Sequence, residues 1–169
     1  MIQFHFDDLI LCDFLEEDID SDYLSWLNNV EHMRFSDQRH TKHTLDTSLK
    51  FLNSFKGTEN MFLTIKGVNL KSRGTLTIYY DHFNHQANIG VLIAPKEVGE
   101  GLGTCVMTNL SKLLPNRFRL KKVTSGTCEL NTAMQKVLRK AGFNEDYRDR
   151  SSFLYEDRYY DKIIFAKYY

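Results

Sequence analysis

Apolar residues recur with a helical period early in the chain. Leu45, Leu49 and Leu52 follow one another at i, i+4 and i+7, and Thr44 just before them is of a residue type that caps helix starts. Gly57 suits the position after the last turn, so the spacing predicts a helix that begins after Thr44 and ends before Gly57. Two shorter helices are predicted before it, over residues 22–28 and 30–35.

Two later stretches have the same period. Apolar residues from Leu102 to Leu114 predict a helix that Pro115 is expected to end, because proline cannot donate the backbone hydrogen bond of a helix interior. A last helix is predicted from Asn131 to Ala141.

Short β-branched and aromatic runs between turn residues predict the strands. Three of them follow one another as an antiparallel meander, and a fourth comes after a helix, so its crossover predicts a parallel pair. The order predicts an α+β fold, with a mixed, mostly antiparallel sheet of about seven strands and helices on both faces, in a single domain over residues 1–169. The meander is expected over residues 61–66, 75–80 and 86–93, and the other strands over 9–15, 123–128, 143–152 and 162–168.

Composition narrows the range of partners. The chain of 169 residues is 42% hydrophobic and 26% charged, which is typical of soluble globular domains, and its 22 basic residues offset 22 acidic ones. We therefore expect neither a nucleic acid nor a membrane as the main partner. The polar stretch from Met1 to Asp8 does not resemble a signal peptide, which predicts a cytoplasmic protein. Cys12, Cys105 and Cys128 lack zinc-site spacing, so reduced thiols and no metal are expected.

Three alternate glycines, Gly99, Gly101 and Gly103, stand between a buried strand and an amphipathic helix. Glycine lets the backbone pass close to a ligand, and the free N–H groups of a first helical turn attract negative charge. The pattern therefore predicts an anion site that suits phosphate. Its spacing fits neither the dinucleotide-binding Gly-x-Gly-x-x-Gly nor the ATP-binding Gly-Lys-Ser/Thr loop. The alternative is that the glycines only permit a tight turn.

The run Val98-Gly99-Glu100-Gly101-Leu102-Gly103 resembles the acetyl-CoA pyrophosphate loop of the GNAT acyltransferases. Ala141-Gly142-Phe143 looks like that superfamily's entry to the strand after its late helix, and residues 159–164 look like its closing hairpin. Residues 23–31 are similar to the N-terminal helix of the branch that holds the Rim-type ribosomal-protein and aminosugar acetyltransferases. The four motifs occur in the family's order and cover nearly the whole chain.

The resemblance implies that acetyl-CoA is the cosubstrate. Its thioester would lie where the parallel strands splay apart, with the backbone N–H groups of Leu92 and Ile93 facing the carbonyl that becomes an oxyanion. Asn131 would bond the pantetheine arm, the alternative being an ordinary N-cap. The pyrophosphate would lie on the N–H groups of Val98, Gly99, Glu100, Gly101, Leu102, Gly103 and Thr104. Many relatives carry Gln, Arg or Trp in place of Val98 and a basic residue in place of Glu100.

The proton path departs from the family's pattern. Leu138 and Met134 occupy the positions of its late-helix tyrosine and serine, and Asn88 stands where Rim-type relatives often carry Glu. Asn88 can orient a water but cannot take a proton, whereas a histidine, with an ordinary pKa of about 6.5, suits proton removal from an ammonium group. We therefore expect Asn88 and His85 to act through one water, with His82 as the alternative histidine.

The acceptor amine is expected on the side of the early helices, as in the family. The segment between Met33 and Thr44 is polar and mixed in charge, and two arginines there could take a nucleotide diphosphate. A nucleotide-linked aminosugar is the first substrate expected and a protein N-terminus the second, while the other interpretation of the segment is a solvated loop. The candidate substrate residues are Arg34, Asp37, Gln38, Arg39 and His40.

These features predict an N-acetyltransferase that moves acetyl directly to a primary amine and leave room for a homodimer. The rival hypothesis is a GNAT-fold protein that binds CoA, has little or no turnover and serves regulation, as Asn88, Met134 and Leu138 suggest. A third, an interaction domain that does not use acyl-CoA, requires the glycine turn to be only structural.

Overall fold

The computed structural model describes residues 3–6 and 8–169, so that Met1, Ile2 and Asp7 of the polar N-terminal stretch lie outside it. The strands are β1 Gln3–Phe6, β2 Leu9–Asp13, β3 Met61–Lys66, β4 Ser72–Asp81, β5 Gln86–Ile93, β6 Lys122–Cys128, β7 Asn144–Tyr155 and β8 Arg158–Tyr168. The α-helices are α1 Ser21–Leu27, α2 Val30–Met33, α3 Leu45–Asn53, α4 Leu102–Phe118 and α5 Thr132–Lys140.

The eight strands form one sheet in the order β1-β2-β3-β4-β5-β6-β8-β7. β5 and β6 are parallel, whereas β1–β2, β2–β3, β3–β4, β6–β8 and β7–β8 are antiparallel. The mixed, mostly antiparallel α+β sheet with one parallel pair is therefore confirmed. It has one strand more than the seven expected, since β1 was not predicted. Phe4 and Phe6 are buried and His5 is exposed in it, but a period of two over four residues is too short to recognise.

The chain forms two compact units, Met1–Tyr79 with Val91–Glu100 and Tyr80–Gly90 with Gly101–Tyr169. In the first unit, an aromatic cluster joins the early helices to the sheet. The rings of Phe14 and Phe62 stack with centroids 4.2 Å apart, and Tyr23 lies 4.9 Å from Phe14. Trp26 belongs to the same buried cluster, so burial of large apolar side chains holds α1 in place.

The prediction for α3 is right at its start, whereas the helix ends several residues before Gly57 rather than immediately before it. Thr44 caps the helix by accepting a hydrogen bond from the Thr47 N–H. The helix ends at Asn53. The Ser54 N–H is shared between the Lys50 and Phe51 carbonyls, the Ser54 hydroxyl donates to the Phe51 carbonyl, and Gly57 follows in the turns beyond. Leu45, expected on the buried face, is 52% exposed.

In the second unit, α4 continues through Pro115 to Phe118, which corrects the expected end of this helix. Pro115 has no N–H to donate to the Ser111 carbonyl one turn earlier, but the Tyr169 hydroxyl donates to that carbonyl instead. The donor that replaces the missing N–H therefore comes from the last residue of the chain. The helix ends at its C-cap Arg119, which has a left-handed conformation.

The later elements of the second unit are helices and strands where the sequence predicted them. α5 begins after its cap Asn131, and Gly142 follows it with φ +85°. β6 pairs with β8 from Lys122 to Cys128. Among the described residues no helix combines the length and the apolar character that a membrane crossing needs.

The glycine at position 74 gives a testable consequence of close strand packing in the first unit. A Cβ there would lie 2.5 Å from the Leu92 carbonyl oxygen and 3.2 Å from the Ile93 Cα, and backbone atoms cannot move aside as a side chain can. Gly74→Ala should lower the free energy of unfolding in urea by about 1–3 kcal/mol. Gly126→Ala, also in a strand, is the control, since its Cβ meets the terminal Cδ1 of Ile164, which a side-chain rotation can move aside. Equal midpoints for both variants would contradict the prediction.

Candidate active site

In the first unit, β5 ends in a turn that the neighbouring strand holds. The Ala94 N–H donates to the Arg73 carbonyl at 2.9 Å, and the chain then makes one 3₁₀ turn over Pro95–Glu97. The Glu97 N–H donates to the Ala94 carbonyl at 2.8 Å, which closes this turn. The backbone therefore leaves the strand in one defined direction, immediately before the alternate glycines.

The same arginine holds the turn through its side chain. Arg73 Nε and Nη2 lie 2.8 and 2.6 Å from Glu97 Oε2, and both side chains are largely shielded from solvent. Charge-assisted hydrogen bonds of this kind are shorter and stronger than neutral ones. Arg73 thus fixes both ends of the 3₁₀ turn, one through its carbonyl and the other through its guanidinium group.

In the second unit, α4 begins without a side-chain cap. Gly101 is its N-cap residue and has φ +81°, a left-handed conformation that favours glycine. The first helical hydrogen bond runs from the Cys105 N–H to the Gly101 carbonyl at 3.0 Å, so the preceding amides have no partner within the helix. The first turn of α4 contains no acidic side chain. These amides are therefore available to an anion.

The glycines of this turn leave open space. A Cβ on Gly99, whose φ is +95°, or on Gly101 would meet no atom of the described residues within 4 Å. Val98 is 57% exposed and Glu100 is also exposed, so neither side chain covers the turn. The Val98 and Glu100 N–H groups donate to the Pro95 and Glu97 carbonyls at 3.4 Å, so the amides left to an anion are those at the start of α4. Those amides fit a pyrophosphate group, although the Glu100 carboxylate adds a nearby negative charge.

The parallel pairing of β5 and β6 in the second unit is short. Within the described residues it comprises three pairs, from Gln86 with Lys122 to Asn88 with Thr124. Beyond it, the Ser125 hydroxyl donates to the Ile89 carbonyl at 2.8 Å.

The two residues predicted for the proton path lie at this parallel pair. The Asn88 Nδ2 donates to Thr124 Oγ1 at 3.0 Å, which orients the exposed amide of Asn88. His85 has φ +52° in the turn before β5, and its carbonyl accepts the Lys121 N–H at 2.7 Å. Leu138, at the position of the family's tyrosine, is fully buried.

Asn131 is the N-cap residue of α5. Its Oδ1 accepts the Met134 N–H at 3.1 Å, so this oxygen is engaged by α5.

Glu129, two residues before Asn131, also has partners. Its Oε1 accepts the Asp161 N–H at 2.8 Å, and its Oε2 lies 3.3 Å from Arg148 Nη1. The hydrogen bond from the Ser151 N–H and the Arg150 and Arg148 charges hold the pKa of Asp161 below its usual range. This carboxylate cluster therefore stabilises the β7–β8 hairpin in its ionised form.

The candidate acceptor residues all belong to the first unit, and most of them have partners of their own. Arg34 pairs with Glu31 at 2.7 Å, and Arg39 Nη1 donates to the Ser36 carbonyl at 2.8 Å and lies 4.0 Å from Asp37. The remaining two candidates lie in the 3₁₀ turn that contains Asp37 and Arg39, and of these Gln38 is half-buried and His40 exposed.

The predicted residues divide between the two units. Leu92, Ile93 and 98–100 lie in the first unit with the acceptor residues, whereas His85, Asn88, 101–104 and Asn131 lie in the second.

Sequence reasoning missed His32 in α2. Its Nε2 is buried and has no hydrogen-bond partner in the described part of the chain. Burial lowers the pKa of the imidazole and the Arg34 charge lowers it further, against a backbone interaction with Ile93 that raises it. A neutral imidazole near the end of β5 is therefore present in the first unit. One histidine in a short helix has no pattern that would have indicated this.

Both the sequence and the fold match known proteins. Residues 8–144 match the family described as "Acetyltransferase (GNAT) domain". An acetyltransferase of the GNAT family from Bacillus anthracis superposes with a TM-score of 0.84 at 15% identity, over 99% of this chain and 98% of that one. No curated protein sequence matches the chain.

Two further solved structures are named for their substrates. Spermidine N-acetyltransferase from Vibrio cholerae, in complex with CoA and spermine, superposes with a TM-score of 0.85 at 15% identity and 95% coverage of both chains. Ribosomal-protein-S5-alanine acetyltransferase from Vibrio fischeri superposes at 0.78 and 16% identity, over 99% of this chain and 97% of that one. The fold and the family match define an acyltransferase of the GNAT type. The chain belongs to the GNAT acetyltransferase family.

The ion pair of Arg73 with Glu97 predicts a local effect on the turn. Arg73→Gln removes charge from a shielded pair, so the Glu97 carboxylate loses its partner and the free energy of unfolding should fall by about 1–3 kcal/mol. Hydrogen exchange at the amides of residues 97–100 should accelerate. Lys71→Gln, an exposed change on the same stretch of chain, is the control. Unchanged exchange in Arg73→Gln would show that the ion pair does not hold the turn.

Proposed function

We propose that this chain is an acetyl-CoA-dependent N-acetyltransferase that transfers acetyl directly to a primary amine of a bound acceptor. The observation that carries the proposal is the uncapped start of α4, whose first amides have no helical partner and which follows two glycines of positive φ at which a Cβ would meet open space. A diphosphate supplies the negative charge and the acceptor oxygens that such a helix end lacks.

The chain's own residues supply the rest of the proposed chemistry. The turn from Val98 to Thr104 would hold the pyrophosphate, and the backbone N–H groups of Leu92 and Ile93 would stabilise the oxyanion of the thioester carbonyl. Donors of this type contribute roughly 3 kcal/mol where one has been removed. Asn131 would offer its amide nitrogen to the pantetheine arm, since its oxygen already accepts a hydrogen bond as the cap of α5.

The proposed reaction needs no enzyme nucleophile. The amine loses a proton, attacks the thioester carbon, and the C–S bond then breaks to leave CoA as a thiolate that takes up a proton. Cys128 is buried at the end of β6, and the other two cysteines are half-buried. The described residues contain no group of three or more His, Cys, Asp or Glu placed to hold a metal. Direct transfer without a metal stays our prediction.

A nucleotide-linked aminosugar is the first acceptor we propose, and a protein N-terminus is the second. The polar segment that contains Arg34, Gln38 and Arg39 supports a hydroxylated or phosphorylated acceptor. The named structural neighbours act on a polyamine and on a ribosomal protein, so the fold itself does not select among amines. The cytoplasmic location and the homodimer are likewise proposals.

A GNAT-fold CoA-binding protein with regulatory function is the second candidate. Burial of Leu138 and the absence of a carboxylate at Asn88 favour it, because neither position offers a group that exchanges protons. Release of CoA from acetyl-CoA, measured against aminosugar nucleotides, polyamines, aminoglycosides and N-terminal peptides, separates the two. Release with any acceptor supports the enzyme, and tight binding without release supports the regulator.

Gly101→Val tests the pyrophosphate turn. The branched side chain forces the N-cap residue out of its left-handed conformation and fills the space beside the free amides, so affinity for acetyl-CoA in calorimetry should fall at least about tenfold. Gly57→Val is a matched control, because Gly57 also has positive φ and no atom within 4 Å of its Cβ among the described residues. An unchanged affinity in a folded Gly101→Val protein would refute the phosphate site.

The proposed water relay predicts a coupled effect of Asn88 and His85. Asn88→Ala and His85→Asn should each lower kcat by about tenfold to a thousandfold and leave acetyl-CoA affinity unchanged, and the double variant should lose far less than the product. Asparagine is chosen at position 85 because it tolerates positive φ. His82→Ala is the control. Near-normal kcat/KM in both single variants from about pH 6 to 9 would exclude the relay and direct attention to His32.

A further inference from the structure

A row of aromatic rings leads from the end of α4 to the surface of the second unit. The ring centroids of Phe118 and Tyr80 lie 5.5 Å apart, and the His82 ring lies 6.3 Å from Tyr80 and 3.9 Å from Phe83. Arg117 lies over the Phe118 ring, 5.8 Å from its centroid. Phe118 and Tyr80 are half-buried, whereas Phe83 is 83% exposed. The row therefore ends in an aromatic face that solvent reaches.

The turn that carries the two outer rings is held by hydrogen bonds at both ends. The Asp81 carboxylate accepts the Asn84 N–H at 3.0 Å and the Asn84 side-chain amide at 2.7 Å. At the other end, the Lys121 N–H donates to the His85 carbonyl at 2.7 Å and joins the turn to the chain after α4. Phe83 therefore stands on an ordered turn, which lowers the conformational cost of binding a ligand there.

The chain beside this turn is basic. Residues 112–122 contain five lysine and arginine residues and no acidic one. Lys122 is engaged in an ion pair, but within the described residues no ion pair involves the exposed Arg119 and Lys121. Against them the turn carries the single carboxylate of Asp81. The balanced charge of the whole chain concerns its main partner, and it leaves a local surface of positive charge beside the rings.

This surface is separate from the proposed pyrophosphate turn. α4 has 17 residues and extends for about 25 Å at a rise of about 1.5 Å per residue. Gly101 is the cap at one end of the helix, and Arg119 is the cap at the other. One diphosphate cannot reach both ends, so the cations after α4 are available to a different anion.

We propose that Phe83, Arg119 and Lys121 form a surface that binds single-stranded nucleic acid, with an unpaired base on the Phe83 ring and the neighbouring phosphates on the two cations. Single strands are bound by exposed aromatic rings on which bases stack and by basic side chains that follow the backbone. The inference does not depend on the proposed acetyl transfer, and nucleic acid would be a second partner of the chain.

Other anionic partners use only part of this surface. A glutamate-rich peptide or a phospholipid headgroup would satisfy the cations but would offer no planar ring to Phe83. A nucleic acid duplex would offer its phosphates, but its bases are stacked on one another and leave no free face for Phe83. An unpaired base next to its phosphate supplies both the ring and the charge.

The binding experiment is fluorescence anisotropy with a labelled oligouridylate of about 12 nucleotides, which is within the site size of such surfaces. We expect a Kd on the order of 10 µM in about 50 mM salt. The slope of log K against log salt should be about −2, because three exposed cations, those of Arg117, Arg119 and Lys121, would each contribute about −0.7.

A charge variant tests the phosphate contacts. Arg119→Gln combined with Lys121→Gln should weaken binding and reduce the salt slope to about −0.7, because two of the three phosphate contacts are lost. Lys42→Gln combined with Lys71→Gln is the matched control, since it removes the same charge from two exposed positions of the first unit. The control should keep both the affinity and the slope.

Variants of Phe83 test the stacking. Phe83→Leu keeps an apolar side chain without a planar face, so it should weaken binding about tenfold and leave the salt slope unchanged. Phe83→Tyr keeps the ring and should bind as the wild type does. Because the side chain is 83% exposed, neither change should alter the folded core.

Competition experiments separate this partner from the others. An oligodeoxyuridylate of the same length shows whether the surface prefers RNA or DNA, and either preference supports the proposal. Tighter binding of a duplex, of oligoglutamate or of phosphatidylserine vesicles would overturn it. Displacement of the oligouridylate by saturating acetyl-CoA would also overturn it, as would unchanged affinity in the folded Phe83→Leu and Arg119→Gln/Lys121→Gln proteins.

Discussion

The close approach of two backbones at Gly74 is the constraint on which the candidate site in the first unit depends. Only a residue without a Cβ lets the Leu92 carbonyl lie against this strand, and the hydrogen bond from Ala94 to Arg73 follows immediately from that approach. The Arg73 guanidinium can then reach Glu97 on the far side of the 3₁₀ turn. Two neighbouring residues of β4 thus fix where β5 ends and in which direction the chain leaves it.

The start of α4 differs from the other helix starts. Asp20, Asn29, Thr44 and Asn131 each cap a helix through a side-chain oxygen, and α4 is the one α-helix of the described chain without such a cap. Glycine in place of a capping side chain costs only about a few tenths of a kcal/mol, which this helix of 17 residues can absorb through its buried face. The left-handed φ of Gly101 already favours glycine at this helix start, and the amides of the first turn are left without a side-chain cap.

Local chemistry accounts for what the sequence could predict. Thr44 and Asn131 lie next to the amides they cap, and the period of the strands is contained in a few residues, so element types follow from short patterns. Contacts between residues that are far apart in the sequence do not follow from such patterns. Asn28 meets His43 at a separation of 15 residues, Arg73 meets Glu97 at 24 and Tyr169 meets Ser111 at 58. The last of these allows Pro115 inside α4, which no local rule could foresee.

The limits of local patterns also affect the predicted acceptor residues. A sequence shows that Arg34 and Arg39 are charged, but not that Glu31 and the Ser36 carbonyl already bind them. An arginine that has a partner gains only the difference between that partner and a ligand, whereas a buried hydroxyl without one gains a whole hydrogen bond. Arg34 and Arg39 are therefore expected to contribute less to acceptor affinity than their charges alone would suggest.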